Sequence, residues 1–312
     1  METQVIVSVL MSIYDEPIEW INCSISSILN QSFLNFEFVI INDNPSRNEN
    51  IVLLNKFKGK DSRIKVISNV ENLGLTKSLN IGLKIAKGKY LARMDADDIS
   101  LPLRLEKQVQ FLEKNLEYIL CGSSRIDLIE GKENLVTLPI TDENIKLEML
   151  LRNCITHPTV MLRNDILKSK NIHYDEHVKK SQDYALWVRM SSLGKFYNIS
   201  EPLIHYRISN NQISKKNYNE QYKFSNGNRL MYINQFMISY GIDISGKNNF
   251  NKINVLKVNK RQKEIMQSAI MISKNKISTF SLLKFILRFN FVRYLSVHKY
   301  LLHYLLHISR NA

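Results

Sequence analysis

Cysteine is scarce: Cys23, Cys121 and Cys154 are the three in 312 residues. Their number is odd, and their spacing fits neither a metal-ligand set nor a disulfide framework, which predicts a reducing cytosolic setting. Long hydrophobic runs are missing too. No stretch of about 18 uncharged apolar residues occurs, so no transmembrane helix is predicted. The chain passes from Met1-Glu2-Thr3-Gln4 into an apolar segment with no basic region ahead of it, so its start does not read as a signal peptide. There is no internal repeat and no low-complexity tract. Acids are nearly absent from the end: residues 251–312 hold Glu264 alone against 12 Lys/Arg, a net of +11 within a total of +14. The remaining body is close to neutral, which argues against one uniformly basic nucleic-acid-binding domain.

Hydrophobic residues at 44% and charged residues at 23% predict a globular chain. Residues 5–13 form a continuous apolar run, the pattern of a buried parallel strand. Pro17 suits a helix first turn, and Ile21, Ile25, Ile28 and Leu29 recur at helical spacing. A second apolar run, 36–41, ends at the turn sequence Asn42-Asp43-Asn44-Pro45. A helix at 47–58, a strand at 63–67 and a helix at 75–87 follow, the last capped by Gly88. A strand at 89–94 meets Asp95-Ala96-Asp97-Asp98, and Ser100 and Pro102 read as the N-cap and first turn of a helix to about 114. This alternation predicts an α/β fold: a mainly parallel sheet with helices on both faces. In the second half, 141–152 and 182–193 read as helices and 158–163 and 203–208 as strands.

In such sheets ligands bind at the carboxyl ends of the strands. Asp15, Asp43 and Asp95 each follow a strand end, so three distant acids are expected to meet in one crevice. Three carboxylates within Asp95–Asp98 repel one another and need water, cationic side chains or a hard divalent cation. Mg²⁺ or Mn²⁺ is held by a few carboxylates together with phosphate oxygens, which makes a nucleotide diphosphate a natural partner. A solvated acidic turn is the alternative reading of that cluster. Cys23 and Cys121 read as buried small hydrophobes. His173 and His177 are four apart, but Tyr174-Asp175-Glu176 between them reads as a polar connection rather than a metal site.

Several segments in order resemble glycosyltransferase family 2. They are Tyr14-Asp15-Glu16, Asn42-Asp43, Asn72-Leu73-Gly74 with Asn80-Ile81-Gly82, Ala86-Lys87-Gly88, Asp95-Ala96-Asp97-Asp98 and Ser181-Gln182-Asp183-Tyr184-Ala185-Leu186-Trp187. The resemblance spans about 4–210 and is nearest to bacterial members that build O-antigens, capsules and exopolysaccharides. It implies a GT-A fold, Rossmann-like, over 1–215, with a nucleotide-sugar half (about 1–100) and an acceptor half (about 101–215). A connecting segment (216–250) and a basic helical extension (251–312) would follow. It implies that Tyr14, Asp15 and Asp43 hold the nucleotide of a UDP-sugar, with Asp43 near the base or ribose. Asp95 would lie near the ribose or sugar and, with Asp97, hold Mn²⁺ or Mg²⁺. Asp183 would be the general base of an inverting transfer of glucose or galactose, and Gln182 replaces the Glu common before that base. His157 and Trp187 would stand on the acceptor side; for each the other reading is structural, a core histidine and a residue packing the Asp183 helix. Arg207 would meet the diphosphate or be a surface arginine, and Lys77 and Arg104 would flank the site.

Residues 281–310 place Lys284, Arg288, Ser296, Lys299, His303, His307 and Arg310 along one polar stripe of a helix otherwise rich in Leu, Ile, Phe and Tyr. Such a helix suits an anionic membrane surface, so the segment 276–310 is expected to hold the protein on the inner face of the cell membrane, where a polyprenyl-diphosphate-linked saccharide would be the acceptor. Packing on the catalytic domain or another subunit is the alternative. Two other functions fit the sequence less well. A nucleotidyltransferase needs a Gly-rich basic loop after the first strand, and Ser12-Ile13-Tyr14-Asp15-Glu16-Pro17 has no glycine. A nucleic-acid binder is opposed by the converging acids, which repel phosphates, so no nucleic-acid partner is expected.

Overall fold

The computed structural model describes residues 4–209 and 218–239. The basic stripe expected at 276–310, and the whole extension at 251–312, lie outside the described residues. The chain divides into two compact units, Met1–Tyr232 and Ile233–Ala312.

The first half alternates as expected. Strand β1 (Val7–Ile13) and strand β2 (Phe36–Asn42) are buried at every residue. Helix α1 (Ile18–Leu29) follows Pro17, whose φ of −50° suits a helix entry, and buries Ile21, Ser24, Ile25 and Ile28. Burying each such isoleucine contributes about 1.5–3 kcal/mol. Helix α2 (Asn48–Lys58), strand β3 (Ile64–Ser68), helix α3 (Leu75–Ile85) and strand β4 (Tyr90–Asp95) complete this half. β1 pairs in parallel with both β2 and β4, and β2 with β3. The register sets Ile13 opposite Asn42 and Ser12 opposite Asp95, so these strands finish flush at one edge.

Alternation along β1 sends side chains to both faces of the sheet. Val7, Val9, Met11 and Ile13 join Phe36, Phe38 and Ile40 in a core with residues of α1 and α2. Leu10 turns the other way, against α3: a Cβ on Gly82 would lie 2.1 Å from Leu10 Cδ1. Gly88 does not cap a helix. α3 ends at Ile85 with Ala86 in the cap position, and Gly88 is needed because a Cβ there would lie 2.4 Å from the backbone nitrogen of Ser8.

The second half departs further from the sequence reading. Its elements are β5 (Ile99–Ser100), α4 (Arg104–Lys114), β6 (Tyr118–Ile129), β7 (Lys132–Val136), α5 (Asp142–Met149), β8 (Met161–Arg163), α6 (Asn164–Ser169), α7 (Gln182–Met190), β9 (Lys195–Arg207) and α8 (Tyr218–Ser239). α8 falls in the segment read as a connection. Ser100 is not an N-cap. It lies in β5, its N–H donates to Ser27 Oγ (3.0 Å) and its hydroxyl accepts from Gln31 Nε2 (3.2 Å). Leu103 holds the cap position of α4, and Gln31 Oε1 accepts from Leu105 N–H in its first turn (3.0 Å). His157–Thr159 forms a 3-10 turn ahead of β8 rather than opening that strand. The short apolar run Tyr118–Cys121 of β6 gives way to buried Ser123 and Ser124 mid-strand, and β7 is mostly exposed, so neither strand shows a sustained pattern in the sequence.

The nine-stranded sheet runs β3-β2-β1-β4-β8-β6-β9-β5, with β7 attached to β6. β8 runs antiparallel to β4 and β6, β5 to β9, and β7 to β6, while β6 and β9 are parallel. Half of the strand pairings are parallel, and because these are the longer ones the sheet is mostly parallel. Among the described residues no helix is long and apolar enough to cross a membrane.

Candidate active site

A cleft of about 830 Å³ opens at the carboxyl edge of β1, β2 and β4. Tyr14, Asp15, Glu16, Asp43, Asp95 and Asp97 reach it from the first half of the chain, and Asn153, His157, Gln182, Asp183 and Tyr206 from the second. The three strand-end acids therefore share one crevice, as their positions imply.

Each acid has a different setting. Asp15 is exposed. Asp43 is 2% exposed and organises the turn before α3: Oδ1 accepts from Asn69 Nδ2 (2.6 Å) and Leu73 N–H (2.9 Å), and Oδ2 from Gly74 N–H (2.9 Å). Gly74 takes φ +83°, which glycine adopts without strain. Glu16 accepts from Tyr14 N–H (2.8 Å). Burial raises its proton affinity, and Asp95 and Asp15 add repulsion.

Asp95, Asp97 and Asp98 offer oxygens that lie within 4.8 Å of one another. Burial, with repulsion from Asp95 and Glu16, pushes the Asp97 carboxyl up to about 7. Asp98 is fully buried and held well above the usual carboxylate range by burial and then by Asp97 and Asp95. Its Oδ1 accepts from the Arg207 N–H (2.9 Å), while its Oδ2 is buried without a hydrogen bond. Arg93, buried beneath the cluster, donates to Asp95 Oδ1. Burial opposes its charge, but Asp95 leads a group of neighbours that more than offsets this, so its pKa is raised. Arg93 and the buried Arg104 both face this cluster, and the hard oxygen donors that crowd its cleft side fit a divalent cation.

Asp183 sits in the first turn of α7, just after Ser181, which takes the left-handed φ of 58°. Its Oδ2 accepts from Asn153 Nδ2 (2.7 Å). Burial raises its pKa, against the hydrogen bonds it accepts, which moves a carboxylate toward the range useful to a general base. His157 Nε2 pairs with the Tyr174 hydroxyl (2.7 Å). Burial, and then Arg93, holds the imidazole well below its usual pKa, so it is neutral at pH 7.

Some other residues singled out in the sequence lie outside the cleft lining. Lys77 is exposed on α3 and does not line the cleft. Arg207 does not line it either; its guanidinium lies over the Trp20 ring, 5.2 Å from the centroid. Trp187 is fully buried against the His157 ring and presents no face to the cleft. Arg104 is fully buried, donating to the Arg93 carbonyl and to Gln108 Oε1 (3.2 Å). Cys23 is exposed, whereas Cys121 and Cys154 are buried.

Several further groups belong to the cleft. Glu16 and Arg93 adjoin Asp15 and Asp95 in the sequence, and that proximity is their signal. Arg125 donates to Asp127 Oδ1 (2.6 Å) and Thr156 Oγ1 (2.6 Å) and lies over the Tyr206 ring (4.7 Å). For Asn153 the sequence carries no signal, since Asp183 is 30 residues away; Arg125 pairs locally with Asp127, but Thr156 and Tyr206, which set it in the cleft, are far along the chain.

The family model for glycosyl transferase family 2 matches residues 8–169. An uncharacterized glycosyltransferase of Haemophilus influenzae is 34% identical over 300 residues, 92% of each chain. The O-antigen biosynthesis glycosyltransferase WbnJ of Escherichia coli is 34% identical over 67% of this chain and 82% of its own. The UDP-Glc:alpha-D-GlcNAc-diphosphoundecaprenol beta-1,3-glucosyltransferase WfgD of E. coli is 30% identical over 69% and 82%. Among solved structures, S. aureus TarS 1-349 in complex with UDP-GlcNAc superposes with a TM-score of 0.60 at 16% identity over 89% of this chain and 83% of that one. The mannosyltransferase PcManGT of Pyrobaculum calidifontis, in complex with GDP-Man and Mn2+, gives 0.56 at 11% identity over 96% and 84%. These likenesses establish a GT-A-like fold, and the sequence matches make the chain a glycosyltransferase belonging to glycosyltransferase family 2.

Proposed function

We propose that this enzyme transfers a hexose, glucose or galactose, from a UDP-sugar to a polyprenyl-diphosphate-linked saccharide, with inversion, in the making of a bacterial surface polysaccharide. The observation that carries this reading is that Asp183 shares one cleft with Asp15, Asp43, Asp95 and Asp97. A base and a cation-binding cluster in one crevice suit a single displacement at an anomeric carbon. WfgD is named for a UDP-Glc donor and a diphosphoundecaprenol acceptor, and WbnJ for O-antigen biosynthesis, which supports the substrate class.

Asp43 and the turn it fixes, Asn72 to Gly74, would frame the nucleotide, with Tyr14 and Asp15 beside it. Asp95 and Asp97 would hold Mn²⁺ or Mg²⁺, with Asp98 behind them. When bound, the ion supplies positive charge to the departing diphosphate. Asp183 takes the proton of the acceptor hydroxyl as that oxygen bonds to the anomeric carbon. The bond from that carbon to UDP breaks, and UDP leaves with the electron pair. Donor and acceptor lie on opposite faces of the sugar, so a UDP-α-sugar yields a β-linkage. His157, held neutral, would stand on the acceptor side. On this reading the enzyme works in the cytoplasm, peripheral on the membrane through 276–310.

The test is thermal stabilisation of the full chain, with UDP release from UDP-glucose, UDP-galactose and their N-acetyl forms. A shift with UDP plus Mn²⁺, none with DNA, and slow release of UDP from one of the four are expected. Stabilisation by DNA but not by UDP plus Mn²⁺ would sink the proposal.

A further inference from the structure

The Asp183 carboxylate is held by a side chain with no charge. Asn153, 30 residues away, follows α5 and lies beside the residues that lead into the His157 turn. Its Nδ2 donates to Asp183 Oδ2 at 2.7 Å, and its Oδ1 accepts from Ile155 N–H at 3.2 Å. The second bond fixes the first, because an amide whose oxygen is engaged by a backbone donor must turn its NH₂ the other way. The backbone N–H groups of Tyr184 and of Asp183 itself also bear on the carboxylate, so Asn153 is the side-chain donor that ties it to the opposite wall of the cleft.

We propose that Asn153 is a positioning residue for the transfer: it fixes the plane of the Asp183 carboxylate and ties that base to the acceptor wall of the cleft. The proposal rests on the base reading above.

The identity of the donor matters. A lysine or arginine at this position would favour the carboxylate form strongly and strip Asp183 of its appetite for a proton. A neutral amide orients it with a much smaller effect. The fixing group is also part of the acceptor wall: Asn153, Ile155, Thr156 and His157 all line the cleft. An acceptor that shifts this segment therefore shifts the base with it. The other ionisable groups facing Asp183 do not replace Asn153. Asp95, at the end of β4, repels it, and the buried Tyr174 phenol couples to it while bonding His157. Arg152, next in sequence to Asn153, is engaged by Glu148 (Nε to Oε1, 2.8 Å). Ser181, before the base, is held from elsewhere: its carbonyl accepts from Asn228 Nδ2 (2.9 Å).

The test compares Asn153→Ala, Asn153→Ser and Asn153→Asp in the full chain with Asp183→Asn as reference. The readouts are UDP release from whichever of the four UDP-sugars wild type hydrolyses fastest, its pH profile, and a ¹³C-NMR titration of the Asp183 carboxyl, assigned with Asp183→Asn. Asn153→Ala is expected to lower kcat by up to about 100-fold with little change in KM for the donor, since a misplaced base costs on that order. Its acidic limb and the Asp183 titration should both move to higher pH, because a bond favouring the carboxylate is gone. Asn153→Asp should move them further by placing a second acid there, and Asn153→Ser, which keeps a donor, should recover part of the rate. An unmoved Asp183 titration in Asn153→Ala overturns the proposal, as does an equal loss in the alanine and serine variants at every pH. An Asp183→Asn enzyme that works normally overturns the base reading itself, so the two failures are distinguishable.

Discussion

Arg93 and Asp95 are two residues apart on β4, on the same face of the strand, and the buried guanidinium of one donates to the carboxylate of the other. A strand rises about 3.3 Å per residue, so positions i and i+2 on one face come within reach of such a pair. Strand β4 thus delivers an acid to the cleft edge with its counter-charge built in behind it. Removing Arg93 leaves Asp95 without its hydrogen-bonded guanidinium, and the buried Arg104, which also feels Asp98 and Asp95, does not bond to that carboxylate. Arg93→Met is expected to destabilise the metal-free protein by about 3 kcal/mol, the cost of breaking a buried pair. Urea unfolding with and without Mn²⁺ checks it, and the loss should shrink when the ion is present.

Asp183→Asn keeps the shape of the base and removes its basicity. Transfer and donor hydrolysis are expected to fall by about 10²–10⁴-fold, the usual contribution of a general base. Stabilisation by UDP plus Mn²⁺ should stay within a degree or two of wild type. Near-normal turnover in this variant would remove Asp183 from the mechanism.

The pH dependence of stability should run against the habit of surface acids. The Asp97 carboxyl is raised from an ordinary value of 3.8 to about 7, chiefly by burial. Between those two values the folded chain holds a proton that the unfolded chain has lost. Stability of the metal-free protein therefore falls as pH rises from about 4 to about 7, and the Asp97 contribution is level beyond that. Chemical denaturation across that window, with chelator present, tests the sign. Added Mn²⁺ should flatten the slope, since a bound cation favours the ionised form.

Asp43 ties Asn69, Leu73 and Gly74 into one turn at the cleft. Asp43→Ala deprives two backbone N–H groups and an amide of their acceptor. The expected result is a stability loss of about 2–4 kcal/mol and weaker stabilisation by UDP. Retention of full UDP stabilisation would limit Asp43 to a scaffold role.

If residues 276–310 lie on a membrane, the full chain should co-sediment with vesicles rich in phosphatidylglycerol and not with phosphatidylcholine alone. Each Lys/Arg near such a surface contributes about 1 kcal/mol, weakened by salt, so raising salt to about 1 M should release much of the bound protein. Equal binding to both vesicle types, or to neither, counts against the membrane role.

Much of the first half was legible from its amino acids. β1, α1, β2 and β4 are marked by runs of one periodicity and closed by Pro17, by Asn42-Asp43 and by the acids after Met94, because local burial and turn chemistry agree there. Other elements were misread where a residue answers to a distant partner. Gly88 looks like a cap but exists for the backbone of Ser8. Ser100 looks like a cap but belongs to a short strand tied to Ser27 and Gln31. β6 hid because its buried positions include Ser123 and Ser124, whose hydroxyls are satisfied internally rather than by water.

The sequence by itself determined that Asp15, Asp43 and Asp95 would stand at one edge. Parallel strands with flush ends carry whatever follows them to the same side, and that is a local property repeated three times. Only the tertiary structure decided the rest of the cleft. It placed Asn153 on Asp183 across 30 residues, set Arg93 under Asp95, stacked Arg207 over Trp20 and left Lys77 and Trp187 out of the cleft lining. The physical reason is that a side chain's direction depends on the packing of elements far apart in sequence, and a cation or an amide reads the same in a sequence whether it meets a ligand, an aromatic ring or solvent.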